Sequence, residues 1–216
     1  MGLIESVNIG VVRPAVSTPG VSGIDKVPTA VPVAVGAAVM DAAGARRRVP
    51  EGLRDSKLVT ERRRPDVAER ATAWVRASSV GWASAAEVDE VGIIRALGLA
   101  ASRAVDAAVA QGTSTAGAVV LLDGNHDYLS AVHHSVLDVR PVIKGDRDCA
   151  SVSAASVIAK VARDAHMAEL HADYPQYQWD RNKGYASTEH REAIRTLGLS
   201  PLHRASWAIA DAPALF

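Results

Sequence analysis

The sequence predicts an α/β or mixed α+β domain, with helices laid against a central sheet. Three observations predict it. Short apolar runs bounded by turn residues alternate with stretches of helical spacing, without internal repeats. The chain has 216 residues, which suits one domain. Hydrophobic residues make up 48% and charged residues 22%, which excludes a mostly disordered chain and supplies a full core.

The elements follow in order. Residues 1–20 read as an N-terminal arm or leading strand, and residues 21–216 as the domain. Val7 to Val12 is β-rich, but the expectation for this stretch is a poorly packed arm. It lacks a basic start followed by an apolar core, so no secretory signal is expected. Val31 to Met40 (VPVAVGAAVM) reads as buried strand, and Gly44 with Arg46, Arg47 and Arg48 as a turn into an exposed edge. Glu61 to Val75 has helical spacing, with Val67, Ala71 and Val75 on one side. Arg76 to Ser84 reads as a strand. Ala86 to Gln111 reads as one helix, with Ile93, Leu97, Ala101 and Val105 in phase and Gly112 to end it. Ala118 to Leu122 is a buried strand that runs into Asp123-Gly124, and Arg140 to Ile143 a short strand. Val152 to Tyr174 reads as a long helix stopped by Pro175, and Thr188 to Leu197 as a shorter one.

Charge and cysteine narrow the function. Lys+Arg and Asp+Glu are 24 each, so a strongly basic nucleic-acid coat is absent. A local patch exists: Arg46 to Arg64 holds eight basic and three acidic residues, a net +5 suited to tracking phosphates. Cys149 is the one cysteine, so the chain cannot hold an internal disulfide, and a reducing cytoplasm is expected. No run of about 18 apolar residues exists, so no membrane span is expected.

Asp25, Asp123 and Asp146 each sit beside a short apolar strand and a turn. Carboxylates converging at strand ends are what hard divalent cations need. Each aspartate alone equally suits a turn or a cap, and spacing leaves both readings open. Other features have plainer readings. His126, His133 and His134 are expected on a polar loop, and Cys149 packed or leading a helix. The four tryptophans are expected in the core or at its rim with their ring N–H groups partnered. Ser153, Ser156 and Lys160 share a helix face, where capping is the economical role. Asp89-Glu90-Val91-Gly92 is expected on a helix in a structural role.

An ordered set of motifs resembles the ribonuclease HII family, the type 2 RNase H enzymes. They run from GID at Gly23–Asp25 through EGLRDSKLVTERRR at Glu51–Arg64 and LLDGNHDYL at Leu121–Leu129. IKGD at Ile143–Asp146, SVSAASVIAKVARD at Ser151–Asp164, NKGYASTEH at Asn182–His190 and SPLHRASW at Ser200–Trp207 complete it. The resemblance implies an RNase H-like mixed five-stranded sheet flanked by helices, with a short helical C-terminal portion. It implies Mg²⁺- or Mn²⁺-dependent hydrolysis of the RNA strand of RNA–DNA hybrids, or of DNA with embedded ribonucleotides, by a monomer. Three of the family's four metal-binding carboxylates carry over as Asp25, Asp123 and Asp146. Lys57, Lys160 and Lys183 match positions near the substrate backbone. Tyr185 matches the tyrosine that stacks on the sugar at the RNA–DNA junction, where the 2′-OH marks RNA.

The first motif departs from the family's DEVGRG. Lys26 stands where the family has the glutamate, a swing of two charge units. At ~4 Å and an effective dielectric of ~20, each unit interaction is worth about 4 kcal/mol. The GRG step is also missing, and with it the glycines that let backbone approach a 2′-OH. Two functions follow: a ribonuclease HII-like endonuclease with reduced or altered activity, or a catalytically lapsed paralogue that binds nucleic acid or protein.

Overall fold

The computed structural model describes residues 8–12 and 32–207. Five strands, β1 (Asn8–Val12), β2 (Val33–Met40), β3 (Ala77–Ala83), β4 (Val119–Asp123) and β5 (Asp138–Val142), form one mixed sheet in the order β3-β2-β1-β4-β5. β1 pairs antiparallel with β2 and parallel with β4; β2–β3 is antiparallel and β4–β5 parallel. The helices are α1 (Arg64–Trp74), α2 (Ala85–Val91), α3 (Ile93–Ala110), α4 (Gly145–Asp148), α5 (Ala150–Asp173), α6 (Trp179–Asn182) and α7 (Thr188–Leu197).

Two expectations about the elements change. Asn8–Val12 is the middle strand of the sheet, not a poorly packed arm: Ile9 is fully buried and lies level with Val39 on one side and Val120 on the other. The single helix expected over 86–111 is two, because Gly92 breaks it with φ +77°, a conformation that costs glycine little.

The sheet alternates its faces as a period of two requires. Val33, Val35, Ala37 and Val39 of β2 join Val120 and Leu122 of β4 against Ala96, Leu97, Ala100, Ala101 and Ala104 of α3. On the other face Ala38, Met40 and Leu121 meet Val152, Ala154 and Ala155 of α5, with Ala71 and Trp74 of α1. The helices lie unusually close. A Cβ on Gly36 would stand 2.4 Å from the Ala155 carbonyl oxygen, and one on Gly10 2.6 Å from the Ser151 carbonyl carbon. One on Gly81 would stand 2.0 Å from the Ala100 carbonyl oxygen. β5 is an exposed edge strand, the kind of position where a proline such as Pro141 is tolerated.

The ring N–H expectation holds for Trp179 but not for Trp74. Trp74 is buried in the apolar cluster with Ala38 and Met40, and its Nε1 has no hydrogen-bond partner among the described residues. Asp89 of α2 accepts from the backbone N–H groups of Ala205 (2.7 Å) and Ser206 (3.0 Å), so the DEVG run pins the C-terminal portion.

That portion closes around a buried pair of histidines. His190 Nδ1 lies 2.8 Å from the Tyr185 carbonyl oxygen, which makes Nδ1 its protonated nitrogen. Nε2 of His190 then accepts from Trp179 Nε1–H (3.2 Å) and from Nε2–H of His203 (3.1 Å). Nδ1 of His203 accepts from the Ser200 N–H at 2.9 Å. Each ring nitrogen is committed, so an added proton must break a bond. Burial lowers the pKa of both rings, and in His203 burial and the neighbouring His190 push it down to about 4.

Two outcomes are expected. Gly81→Ala forces a methyl into α3 backbone and loses about 1–3 kcal/mol in urea unfolding; an unchanged midpoint contradicts the close approach. The neutral His190–His203 pair contributes fully above pH ~6.5, where an unfolded histidine is also neutral. As pH falls, the unfolded chain takes up protons first, so His203 alone loses about 3 kcal/mol on reaching pH ~4, and His190 adds to the loss in the same direction. Urea midpoints measured at intervals through that window should decline steadily, and a flat profile contradicts the assignment.

Candidate active site

Asp123 is the last residue of β4, and alternation puts it on the Leu121 side of the sheet, facing α5. Asp146 is the second residue of α4, which begins directly after Lys144 with its left-handed φ of +59°. The Asp146 N–H donates to Oδ1 of Asp123 at 3.3 Å. The two aspartates, 23 positions apart in sequence, therefore meet at one strand end. Ser153 Oγ–H donates to the Asp146 carbonyl oxygen at 2.8 Å and ties α4 to α5. A Cβ on Gly145 would stand 3.6 Å from Asp123 Oδ1, close to the carboxylate but without a clash.

Lys57 brings a cation, its Nζ 3.6 Å from Asp146 Oδ2. It sits on a 3₁₀ turn (Ser56–Leu58) capped by Asp55, whose carboxylate accepts from the Lys57 N–H at 3.0 Å. Ser56 and Ser156 share a buried hydroxyl contact of 2.9 Å, which seats this turn on α5. Asp55 is 7% exposed, and its charge bears on Asp146. Burial first, then Asp123 and Asp55, push the Asp146 carboxyl above its ordinary pKa; Lys57 pulls the other way. The charges of Asp123 and Asp55 thus both bear on Asp146, and exposed Lys57 offsets them in part. That donor chemistry fits a hard divalent cation with oxygen ligands.

A second cluster surrounds Tyr185. Asn182-Lys183-Gly184-Tyr185 is a tight turn with left-handed φ at Lys183 (+50°) and Gly184 (+77°), closed by Tyr185 N–H to the Asn182 carbonyl at 2.9 Å. Arg163 of α5, 3% exposed, donates to the Lys183 carbonyl at 3.0 Å, and its guanidinium carbon lies 5.0 Å from the centre of the Tyr185 ring. Lys160 Nζ is 6.0 Å from that centre and pairs with Asp164, which also faces Arg64 at 3.6 Å. Lys183 Nζ reaches Glu61 at 3.8 Å.

The residues read from sequence therefore fall into two groups on one helix. Asp123, Asp146 and Lys57 meet at the start of α5, and Lys160, Lys183 and Tyr185 gather further along it. Asp25 and Lys26 lie outside the described residues. Ser153 and Ser156 do not cap: they bind the α4 backbone and Ser56. Cys149 is half-buried at the start of α5, and burial raises its thiol pKa. Sequence reasoning missed Asp55 and Arg163. Arg163 continues the three-and-four spacing of Ser153, Ser156 and Lys160, a signal that was available. The polar-loop expectation fails for His133, whose side chain is 3% exposed and whose Nδ1 lies 2.9 Å from Ser102 Oγ.

Comparison with known proteins agrees with these motifs. The family model for ribonuclease HII matches residues 23–210. Ribonuclease HII of Streptomyces avermitilis is 45% identical over 195 residues, covering 89% of this chain and 78% of the relative. That of Streptomyces griseus is 46% identical over 198 residues, with the same coverage. Among solved structures, ribonuclease H2 of Pyrococcus horikoshii superposes with a TM-score of 0.71 at 22% identity, covering 93% of each chain. The RNase HII of Archaeoglobus fulgidus, in a complex with PCNA, gives 0.66 at 20% identity over 94% of this chain and 96% of that one. These two likenesses bear on the fold. With a family model spanning most of its length and relatives above 40% identity, the chain belongs to the ribonuclease HII family of endoribonucleases.

Proposed function

We propose that this chain hydrolyses the RNA strand of RNA–DNA hybrids with Mg²⁺ or Mn²⁺, at a site built on Asp123 and Asp146. The observation that carries the reading is the meeting of these carboxylates under a shared negative field beside Lys57. Asp123 and Asp146 would hold the ion, whose chemistry when bound is to activate water and offset charge on the leaving oxygen. Lys57, exposed at the rim, binds a substrate phosphate. Lys160 and Arg163 hold the Tyr185 ring, which offers a flat face to the sugar at the junction. From Ser153, which holds the Asp146 carbonyl, to Arg163, which lies over Tyr185, the α5 axis rises about 15 Å.

Asp25 is proposed as the third carboxylate. β1 lies beside β4, and Val11 is level with Leu122, so Val12 is the β1 position level with Asp123. Only glycine fits at Gly10, against the Ser151 backbone. The sequence repeats that glycine–aliphatic step as Gly23-Ile24, and there Asp25 follows where Val12 follows Gly10-Val11. A binding role without cleavage is the second reading. It is favoured by Lys26 and by a valine, not a carboxylate, at the β1 position beside Asp123.

The test is cleavage of a long RNA–DNA hybrid and of a duplex with one embedded ribonucleotide, in Mg²⁺ and in Mn²⁺. The expected result is cleavage of the hybrid, weaker on the single ribonucleotide because the GRG step is missing. Asp123→Asn and Asp146→Asn should abolish it, and Asp25→Asn should lower it at least tenfold. No cleavage in either metal by folded protein overturns the enzyme reading. Full activity of Asp25→Asn removes Asp25 from the site.

A further inference from the structure

The β4–β5 loop carries a group of donors that the nuclease reading does not use. Asp106 of α3, His133 and His134 each offer a ligand atom, and the three atoms lie within 4.8 Å of one another. Oδ1 of Asp106 is 4.0 Å from Nδ1 of His133 and 3.8 Å from Nδ1 of His134. The rings are tilted 41° with centres 4.5 Å apart, and both Nδ1 atoms lie within 4.0 Å of the same carboxylate oxygen.

The backbone beneath them is already fixed. Asp127 Oδ1 accepts from the N–H groups of Leu129 and Ser130 at 2.9 Å each. The Leu129 carbonyl accepts from the N–H groups of Val132 and His133, also at 2.9 Å. Gly98 of α3 lets the loop press down: a Cβ there would stand 2.2 Å from the Tyr128 carbonyl oxygen. The side chain of His133 is 3% exposed, and Ser102 Oγ, 2.9 Å from its Nδ1, aims the ring. The other two donors can adjust, since the side chains of His134 and Asp106 are 71% and 45% exposed.

We infer that Asp106, His133 and His134 form a site for a transition-metal dication such as Zn²⁺, apart from Asp123 and Asp146. Two imidazoles and a carboxylate suit such ions, whereas Mg²⁺ takes oxygen donors. Tetrahedral Zn²⁺ with bonds of 2.0–2.1 Å sets its ligand atoms about 3.4 Å apart, so no pair of ligand atoms closes by more than about 1.4 Å, and water completes the shell. The incoming ion displaces the Ser102 contact. The site lies on the α3 face of the sheet, and the carboxylate pair on the α5 face. A bound ion would join α3 to the loop that leaves Asp123, and so brace that loop rather than react.

The test is equilibrium dialysis of the tag-free full chain against Zn²⁺, with and without a large excess of Mg²⁺, alongside Asp106→Ala and His134→Ala. Both replaced side chains are solvent-exposed, and circular dichroism verifies that each variant is folded. The expected result is one Zn²⁺ per chain that Mg²⁺ does not displace, with affinity at least tenfold weaker in each variant. Zn²⁺ should also raise the melting temperature of the unaltered chain and not of the variants. Absence of stoichiometric Zn²⁺, displacement by Mg²⁺, or equal binding by both folded variants overturns the inference.

Discussion

The structure depends on how closely two helices lie on the sheet. At Gly36 and Gly10 the α5 backbone comes so near that a single methyl would collide with a main-chain atom, and Gly81 does the same for α3. Alanines complete the arrangement, with Ala154 and Ala155 on α5 and Ala96, Ala100, Ala101 and Ala104 on α3. Small residues surrender apolar area but let backbones approach, so dispersion contacts accumulate where each helix crosses the sheet. The distance that results is set by main-chain atoms, which cannot change rotamer.

That distance places the site. α5 begins directly after α4, and Ser153 ties the Asp146 carbonyl to it, so the depth of α5 fixes how near Asp146 comes to Asp123. Ser156 seats the turn that carries Lys57. Lys160 and Arg163 carry the same face on to Tyr185. One helix thus aligns the acidic end and the aromatic end, and side chains three or four positions apart do the aligning. The His190–His203 pair secures the far end by holding the Tyr185 carbonyl.

Much of this was legible because it is local. The apolar runs gave β2, β3 and β4, and the helical spacing gave α5 and α7 to within two residues at each end. β1 was misjudged because its evidence is non-local: Asn8–Val12 is a strand through pairing with Val119–Leu122, more than a hundred residues away. Gly92 was passed over because Ile93, Leu97 and Ala101 keep helical phase after it, and only its φ of +77° reveals the break. The meeting of Asp123 and Asp146 could be suspected from two strand ends but not established. Asp55 was hidden for the same reason, since nothing local says that its charged side chain is buried, whereas the helix-face spacing that continues to Arg163 is local.

The most direct measurement is Mn²⁺ affinity, by calorimetry, in Gly36→Ala and Gly81→Ala, both verified as folded at low temperature. Gly36 faces α5, which positions Asp146; Gly81 faces α3, which does not. The account predicts that Gly36→Ala weakens Mn²⁺ binding several-fold while Gly81→Ala leaves it near the unaltered value. Equal affinity in the two variants would contradict the claim that the seat of α5 on the sheet sets the carboxylate pair.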